Sequence, residues 1–130
     1  MSNPILIVED DPDIAECLRY NLAQLQFETL VAHTGEEGLR ASLDPDNPPA
    51  LVLLDLRLPG PSGLEICRRL RREKRTRSMP IIMLTASASE TDMTRGLQLG
   101  ANAYITKPYS IKDVIARVRA VLRQVQPIDG

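Results

Sequence analysis

Tryptophan is absent from this chain, and only one phenylalanine, three tyrosines and one histidine occur among its 130 residues. So few aromatic faces offer no platform on which the bases of a single strand could stack. His33 stands alone, so the usual Cys/His ligand set of a zinc site cannot be assembled. Cys17 and Cys67 are far apart, lack CxxC spacing and each fall in a stretch that reads as helix. That pattern fits two reduced packing cysteines in a cytosolic protein better than a disulfide or a redox pair. No apolar run approaches the roughly 20 residues needed to cross a bilayer. The first residues, MSNPILIVEDD, turn acidic after a short apolar run, with neither a basic flank nor a small-residue cleavage signal. A signal peptide is not expected, and the compartment expected is cytoplasmic, without a membrane partner. Charge of neither sign dominates either: the formal net charge is −1, so nothing global draws the chain to nucleic acid or to an anionic membrane.

What is present is the content of one ordinary globular domain, long enough to bury a core without disulfides. Punctuation along the chain repeats a strand and then a helix. Ile5–Val8 is a short, continuous, β-branched apolar run, as expected of a strand buried on both faces. Asp11-Pro12 supplies an N-cap and a proline at the first helical position. Ile14, Cys17, Leu18, Leu22 and Leu25 follow at helical spacing. Thr29–Ala32 reads as a weaker second strand. Four further helices are each announced by a hydroxyl residue with an acid three positions on: Thr34/Glu37, Ser62/Glu65, Ser89/Asp92 and Ser110/Asp113. One such match is weak, since the pattern is short; four in sequence, each after a strand or its loop, are much stronger. The intervening apolar runs are 51–54, 81–84 and 103–105, and Ile111, Val114, Ile115, Val118, Val121, Leu122 and Val125 give the last helix an apolar stripe. The spacing predicts an α/β fold, five parallel strands alternating with five helices in a three-layer, doubly wound sheet. Residues 1–125 form the expected domain, and 126–130 a frayed tail or the start of a linker.

In an open parallel sheet, ligands bind beyond the carboxyl ends of the strands. Here those ends read Glu9-Asp10-Asp11, Asp55, Thr85 and Thr106-Lys107-Pro108. Glu9, Asp10 and Asp55 brought together there would repel one another, and one would take up a proton unless a cation intervened. A hard divalent ion with oxygen ligands is the natural solution, and Mg2+ typically takes one or two carboxylates and keeps several waters. Lys107 adds a point charge and Thr85 a hydroxyl donor. Each residue also has a plainer reading. Asp11 is better read as the first helix's cap, Asp55 alone could be a loop residue, Thr85 a β-branched strand residue and Lys107 a solvated one. Their joint placement at one edge argues against coincidence. Neither GxxxxGK[ST] nor GxGxxG occurs, so no nucleotide-cradling loop is expected. Arg57 occupies the position where haloacid-dehalogenase-like phosphohydrolases want a second acid. The run Arg68, Arg69, Arg71, Arg72, Lys74, Arg75 and Arg77 closes the third helix, where cations favour the dipole; a solvated face is the better reading than a nucleic-acid contact.

These segments resemble bacterial response-regulator receiver domains, particularly of the OmpR/PhoB type, over essentially the whole chain. The matching stretches are Ile5-Leu6-Ile7-Val8-Glu9-Asp10-Asp11, Leu53-Leu54-Asp55-Leu56-Arg57-Leu58-Pro59-Gly60, Met83-Leu84-Thr85-Ala86 and Gly100-Ala101-Asn102-Ala103-Tyr104-Ile105-Thr106-Lys107-Pro108-Tyr109. The resemblance implies a flavodoxin-like, CheY-like fold and a phosphoacceptor at Asp55. It implies Mg2+ (or Mn2+) held by Asp10, Asp55 and the main-chain carbonyl of Arg57, with Glu9 assisting. It implies phosphoryl contacts from Lys107, Thr85 and Ala86, a switch pair of Thr85 and Tyr104, and a cis bond before Pro108. The donor would be a sensor histidine kinase or a small acyl phosphate. The output would be transcription through a DNA-binding domain outside this sequence, or docking as a free-standing receiver; this domain itself would not bind nucleic acid. A homodimer would use the fourth helix, fifth strand and last helix, where Met93, Leu97, Asp113 and Arg117 fall. Asp113 and Arg117 match the family's charges there. Met93 and Asn102-Ala103 replace the expected basic and acidic partners.

Overall fold

The computed structural model describes residues 3–85, 94 and 97–125, the side chain of Val125 excepted. Nine elements are defined among them: β1 (Ile5–Val8), α1 (Pro12–Gln24), β2 (Thr29–Ala32), α2 (Gly35–Ser42), β3 (Leu51–Asp55), α3 (Gly63–Arg72), β4 (Ile81–Thr85), β5 (Ala103–Thr106) and α4 (Ile111–Val125). The helix expected from Ser89/Asp92 falls largely outside the described residues, although Thr94, Leu97 and Gln98 are helical. The tail expected at 126–130 also lies outside them.

All strand pairs are parallel, and the order across the sheet is β2-β1-β3-β4-β5. This is the doubly wound, flavodoxin-like order, whose switch point lies between β1 and β3. Alternation along the strands sorts the core into two layers. Ile5, Ile7, Leu51, Leu53, Ile82 and Leu84 point to one face, where Leu18 and Leu22 of α1 and Val114 and Val118 of α4 cover them. Leu6, Val8, Val52, Leu54, Ile81 and Met83 point to the other, against Ile66, Cys67 and Leu70 of α3 and Leu39 of α2. Strands so covered on both faces are apolar along their length, which is why β1 is an unbroken apolar run and β3 and β4 are so up to their last residues, Asp55 and Thr85. β2 is an edge strand and read weaker for that reason: Leu30 is 38% exposed.

The helix starts follow the expected chemistry. Asp11 Oδ1 accepts from the backbone N–H of Asp13 at 2.9 Å and of Ile14 at 3.3 Å, with Pro12 opening α1. The hydroxyls of Thr34, Ser62 and Ser110 accept from the N–H three residues on, at 3.1, 3.2 and 3.0 Å. Two details of the α1 reading need correction. Cys17 is exposed and only Cys67 packs in the core, although both thiols are free. Leu25 is 37% exposed, because α1 ends at Gln24 and the chain turns there through Gln26 at φ 70°.

Candidate functional site

Each strand that reaches the carboxyl edge of the sheet delivers one kind of group. Glu9 follows β1 and is fully buried, and its backbone N–H is held by the Ala32 carbonyl at 3.0 Å. Asp10, beside it, is exposed. Asp55 ends β3 at 5% exposure and Thr85 ends β4 wholly buried. Lys107 follows β5, its backbone N–H donating to the Thr85 carbonyl at 2.6 Å. The peptide bond from Lys107 to Pro108 is cis.

Carboxylate oxygens of Glu9, Asp10 and Asp55 lie within 4.8 Å of one another. Lys107 Nζ donates to Glu9 Oε1 at 2.9 Å and to Asp55 Oδ2 at 3.2 Å. The other Asp55 oxygen accepts from the Arg57 N–H at 3.1 Å, which fixes the turn that carries the Arg57 backbone past the acids. Glu9 Oε2 accepts from the Asp11 N–H at 3.2 Å. Gly63 is needed for this packing: a Cβ there would lie 2.4 Å from the Asp55 carbonyl oxygen, so the start of α3 can rest against the end of β3 only without a side chain.

Electrostatics record the crowding. Burial, reinforced by the neighbouring Asp55 and only partly offset by Lys107, pushes the Glu9 carboxyl up from 4.5 to about 7. For Lys107, burial acts against the charged form, but the bond to Glu9 and the fields of Asp55 and Glu9 outweigh it and hold the ammonium above the ordinary lysine value. One lysine is therefore too little positive charge for three acids. Hard oxygen donors converging at one point, one of them open to solvent, form the donor set that suits a divalent cation such as Mg2+.

The remaining sequence-predicted residues are distributed as follows. Tyr104 is half-buried on β5, packed against the layer that includes Met83. Leu97 is 49% exposed, and Asp113 and Arg117 are exposed on α4. Tyr104, Ile105, Thr106, Asp113 and Arg117 share a groove of about 500 Å³. Ala86 and Met93 lie outside the described residues. Asn102 has an internal role: its Oδ1 accepts from the Ile81 N–H at 2.9 Å and from Arg71 Nη2 at 3.2 Å.

Sequence reasoning did not single out Tyr109 or Arg71. The Tyr109 hydroxyl is buried without a hydrogen-bond partner among the described residues, beside an apolar groove lined by Ile14, Cys17, Leu18 and Pro108. Burial pushes its pKa up to about 12. Arg71 donates to the Gly100 carbonyl at 3.0 and 2.7 Å, tying α3 to the segment before β5. An arginine inside a basic run carries no sequence signal of such a role.

The family model described as the response regulator receiver domain matches residues 5–119. The chain belongs to that family. Among curated proteins it is similar to the phosphate regulon transcriptional regulatory protein PhoB of Escherichia coli strain K12. The two are 41% identical over 128 residues, which is 98% of this chain and 55% of PhoB. The chain thus spans about half the length of the curated relatives it matches. Two solved receiver domains are also similar to it. The BeF3-activated N-terminal receiver domain of Klebsiella pneumoniae RstA is 34% identical with a TM-score of 0.83, over 94% of this chain and 100% of that one. The non-phosphorylated HemR receiver domain of Leptospira biflexa is 32% identical with a TM-score of 0.85, over 98% and 100%.

Proposed function

We propose that this receiver domain accepts a phosphoryl group on Asp55, in a reaction assisted by Mg2+ or Mn2+, and signals by a shift between two conformations. The observation that carries the reading is the meeting of Glu9, Asp10, Asp55 and Lys107 at the carboxyl edge of the sheet. Asp10, Asp55 and the main-chain carbonyl of Arg57 would hold the cation, with Glu9 assisting. The cation would supply charge neutralisation for the incoming phosphoryl oxygens.

The protein's own part is positioning. A carboxylate oxygen of Asp55 forms the new bond to phosphorus while the bond from phosphorus to the leaving group breaks, to the imidazole nitrogen of a kinase phosphohistidine or to the oxygen of an acyl phosphate. Asp55 is presented at a fixed strand end, its free rotation limited by the Arg57 N–H and Lys107 Nζ. Lys107, at rest on two carboxylates, can turn to a phosphoryl oxygen without leaving the site. The product adds about −1.5 to −2 charge and strong acceptors beside the Thr85 hydroxyl. Thr85 and Ala86 would contact those oxygens, with Tyr104 turning inward behind Thr85, and the change would be read on the face formed by the segment after β4, β5 and α4.

Similarity to PhoB supports transcription as the output, through a DNA-binding region not included in this chain, with a sensor histidine kinase as phosphoryl donor. A free-standing receiver acting in a phosphorelay or by docking is the second reading. The phosphoacceptor is tested by incubation with acetyl phosphate and Mg2+ followed by intact-mass measurement. One added phosphoryl group, absent in Asp55→Asn, is expected; an unmodified wild type refutes the proposal. Sedimentation with and without beryllofluoride reads the dimer, and a monomer in both excludes dimerisation as the switch.

A further inference from the structure

α3 carries its arginines on a surface away from the acidic edge, and the structure separates those with internal work from those without. Arg71 is taken up by the Gly100 and Thr76 carbonyls and Asn102. Arg75 reaches the Leu43 carbonyl at 3.4 Å. Arg68, Arg69 and Arg72 are exposed, and among the described residues no carboxylate lies within 4.0 Å of their guanidinium groups. These three line one groove between α2 and α3, of about 180 Å³, whose apolar wall is formed by half-buried Leu39 and Pro61 with Ile66 fully buried beneath them. Glu65 marks the end nearer the start of α3, so the groove is basic at one end and acidic at the other.

We infer that this α2–α3 groove is a docking surface for an acidic protein segment that carries an apolar anchor. Three forked donors with no carboxylate partner among the described residues match carboxylates, which they can take bidentately. An apolar wall between them matches a leucine-like side chain, a feature that a phosphodiester backbone does not use. The rest of the molecule argues the same way: formal net charge is −1, and Glu9, Asp10, Asp11 and Asp13 crowd the edge beyond the strands, so a long polyanionic duplex would meet repulsion beyond the groove. A short acidic segment confined to the groove would not. A solvated helix end accounts for the charges but not for an apolar wall among them.

The test uses a fluorescein-labelled 14-residue peptide of Glu and Asp with two central leucines, titrated with the intact protein by anisotropy at 50 and 300 mM salt. Saturable binding is expected, weakening at least tenfold in the triple variant Arg68→Glu, Arg69→Glu, Arg72→Glu and less than twofold in the charge-matched control Lys112→Glu, Arg119→Glu, Arg123→Glu. The Glu-to-Gln version of the peptide is expected not to bind. Circular dichroism and thermal unfolding verify that both variants fold, and Arg68→Ala with Arg72→Ala serves if the reversal does not. Equal losses in the α3 and control variants would reduce the effect to overall charge and overturn the inference. So would no binding at 1 mM protein, or a 20-base-pair duplex that binds more tightly and displaces the peptide.

Discussion

In the metal-free protein, stability should fall as pH rises from about 5 to 7, opposite to the behaviour of a domain held by salt-bridged acids. The cause is Glu9. Its carboxyl is fully buried, and burial with the help of Asp55 raises its pKa from 4.5 to about 7. Between those two values the folded state keeps a proton that the unfolded state has released. Stability therefore declines with pH through that window, and this group contributes no slope below 4.5 or above about 7. At about 1.4 kcal/mol per pH unit, the interval from 4.5 to about 7 corresponds to roughly 3 kcal/mol of lost stability. For a domain of this size that is a fall in melting temperature on the order of 10 °C. Glu16, held low by its bond to Arg19, titrates beneath the same window.

The assay is thermal and urea unfolding at pH 5, 6, 7 and 8, in EDTA and in 10 mM Mg2+. In EDTA the decline should appear in wild type and vanish in Glu9→Gln, whose neutral amide mimics the protonated acid. In Mg2+ the decline should flatten or reverse, since a bound cation stabilises the ionised cluster and binds only the folded state. Stability rising from pH 5 to 7 in EDTA, or a slope that survives Glu9→Gln, would refute the reasoning.

Other substitutions probe the frame around the site. Gly63→Ala should cost about 2 kcal/mol or more, because its Cβ would meet the Asp55 carbonyl oxygen at 2.4 Å, and should slow phosphorylation from acetyl phosphate; unchanged unfolding would refute it. Arg71→Ala should cost about 1–3 kcal/mol and speed amide exchange at Asn102 and Ile81, which hydrogen-exchange measurements read directly. Tyr109→Phe should be neutral or stabilising by up to about 1 kcal/mol in urea unfolding, since it deletes a buried hydroxyl that has no partner among the described residues; a clear destabilisation would show that the hydroxyl is used.

Much of the fold was legible because its signals are local. The apolar runs of β1, β3 and β4 read as strands buried on both faces, and Thr34, Ser62 and Ser110 each open a helix as the spacing predicts. Strand ends were legible too, so Glu9, Asp10, Asp55 and Lys107 could be placed at one edge before any distance was known. Roles set by distant partners were not legible. Asn102 differs from the family's acidic residue, and only the structure shows its amide oxygen turned inward to Ile81 and Arg71. Cys17 lies at the same helical spacing as Leu18, yet it falls on the rim of α1 and stays exposed, because period alone does not set how wide a stripe the sheet will cover.

The distribution of charge at the edge constrains how the site can be switched. Glu9, Asp10, Asp55 and Lys107, all ionised, sum to roughly −2, and modifying Asp55 replaces its single charge by about −1.5 to −2. Lys107 is already shared between two carboxylates at 2.9 and 3.2 Å, so turning it to the phosphoryl group would strip Glu9 of its cation at the moment repulsion grows. Two remedies exist: a proton on Glu9, or a divalent cation among the acids. The first neutralises one charge and is available only below about pH 7. The second neutralises two and works at any pH where the acids are ionised. Modification by acetyl phosphate above pH 7 should therefore depend strictly on Mg2+ or Mn2+ in wild type, whereas near pH 6 wild type should retain some metal-independent modification and Glu9→Gln should retain it at pH 6 and pH 8 alike. A wild-type rate in EDTA that is the same at pH 6 and pH 8 would show that the Glu9 proton does not relieve the charge.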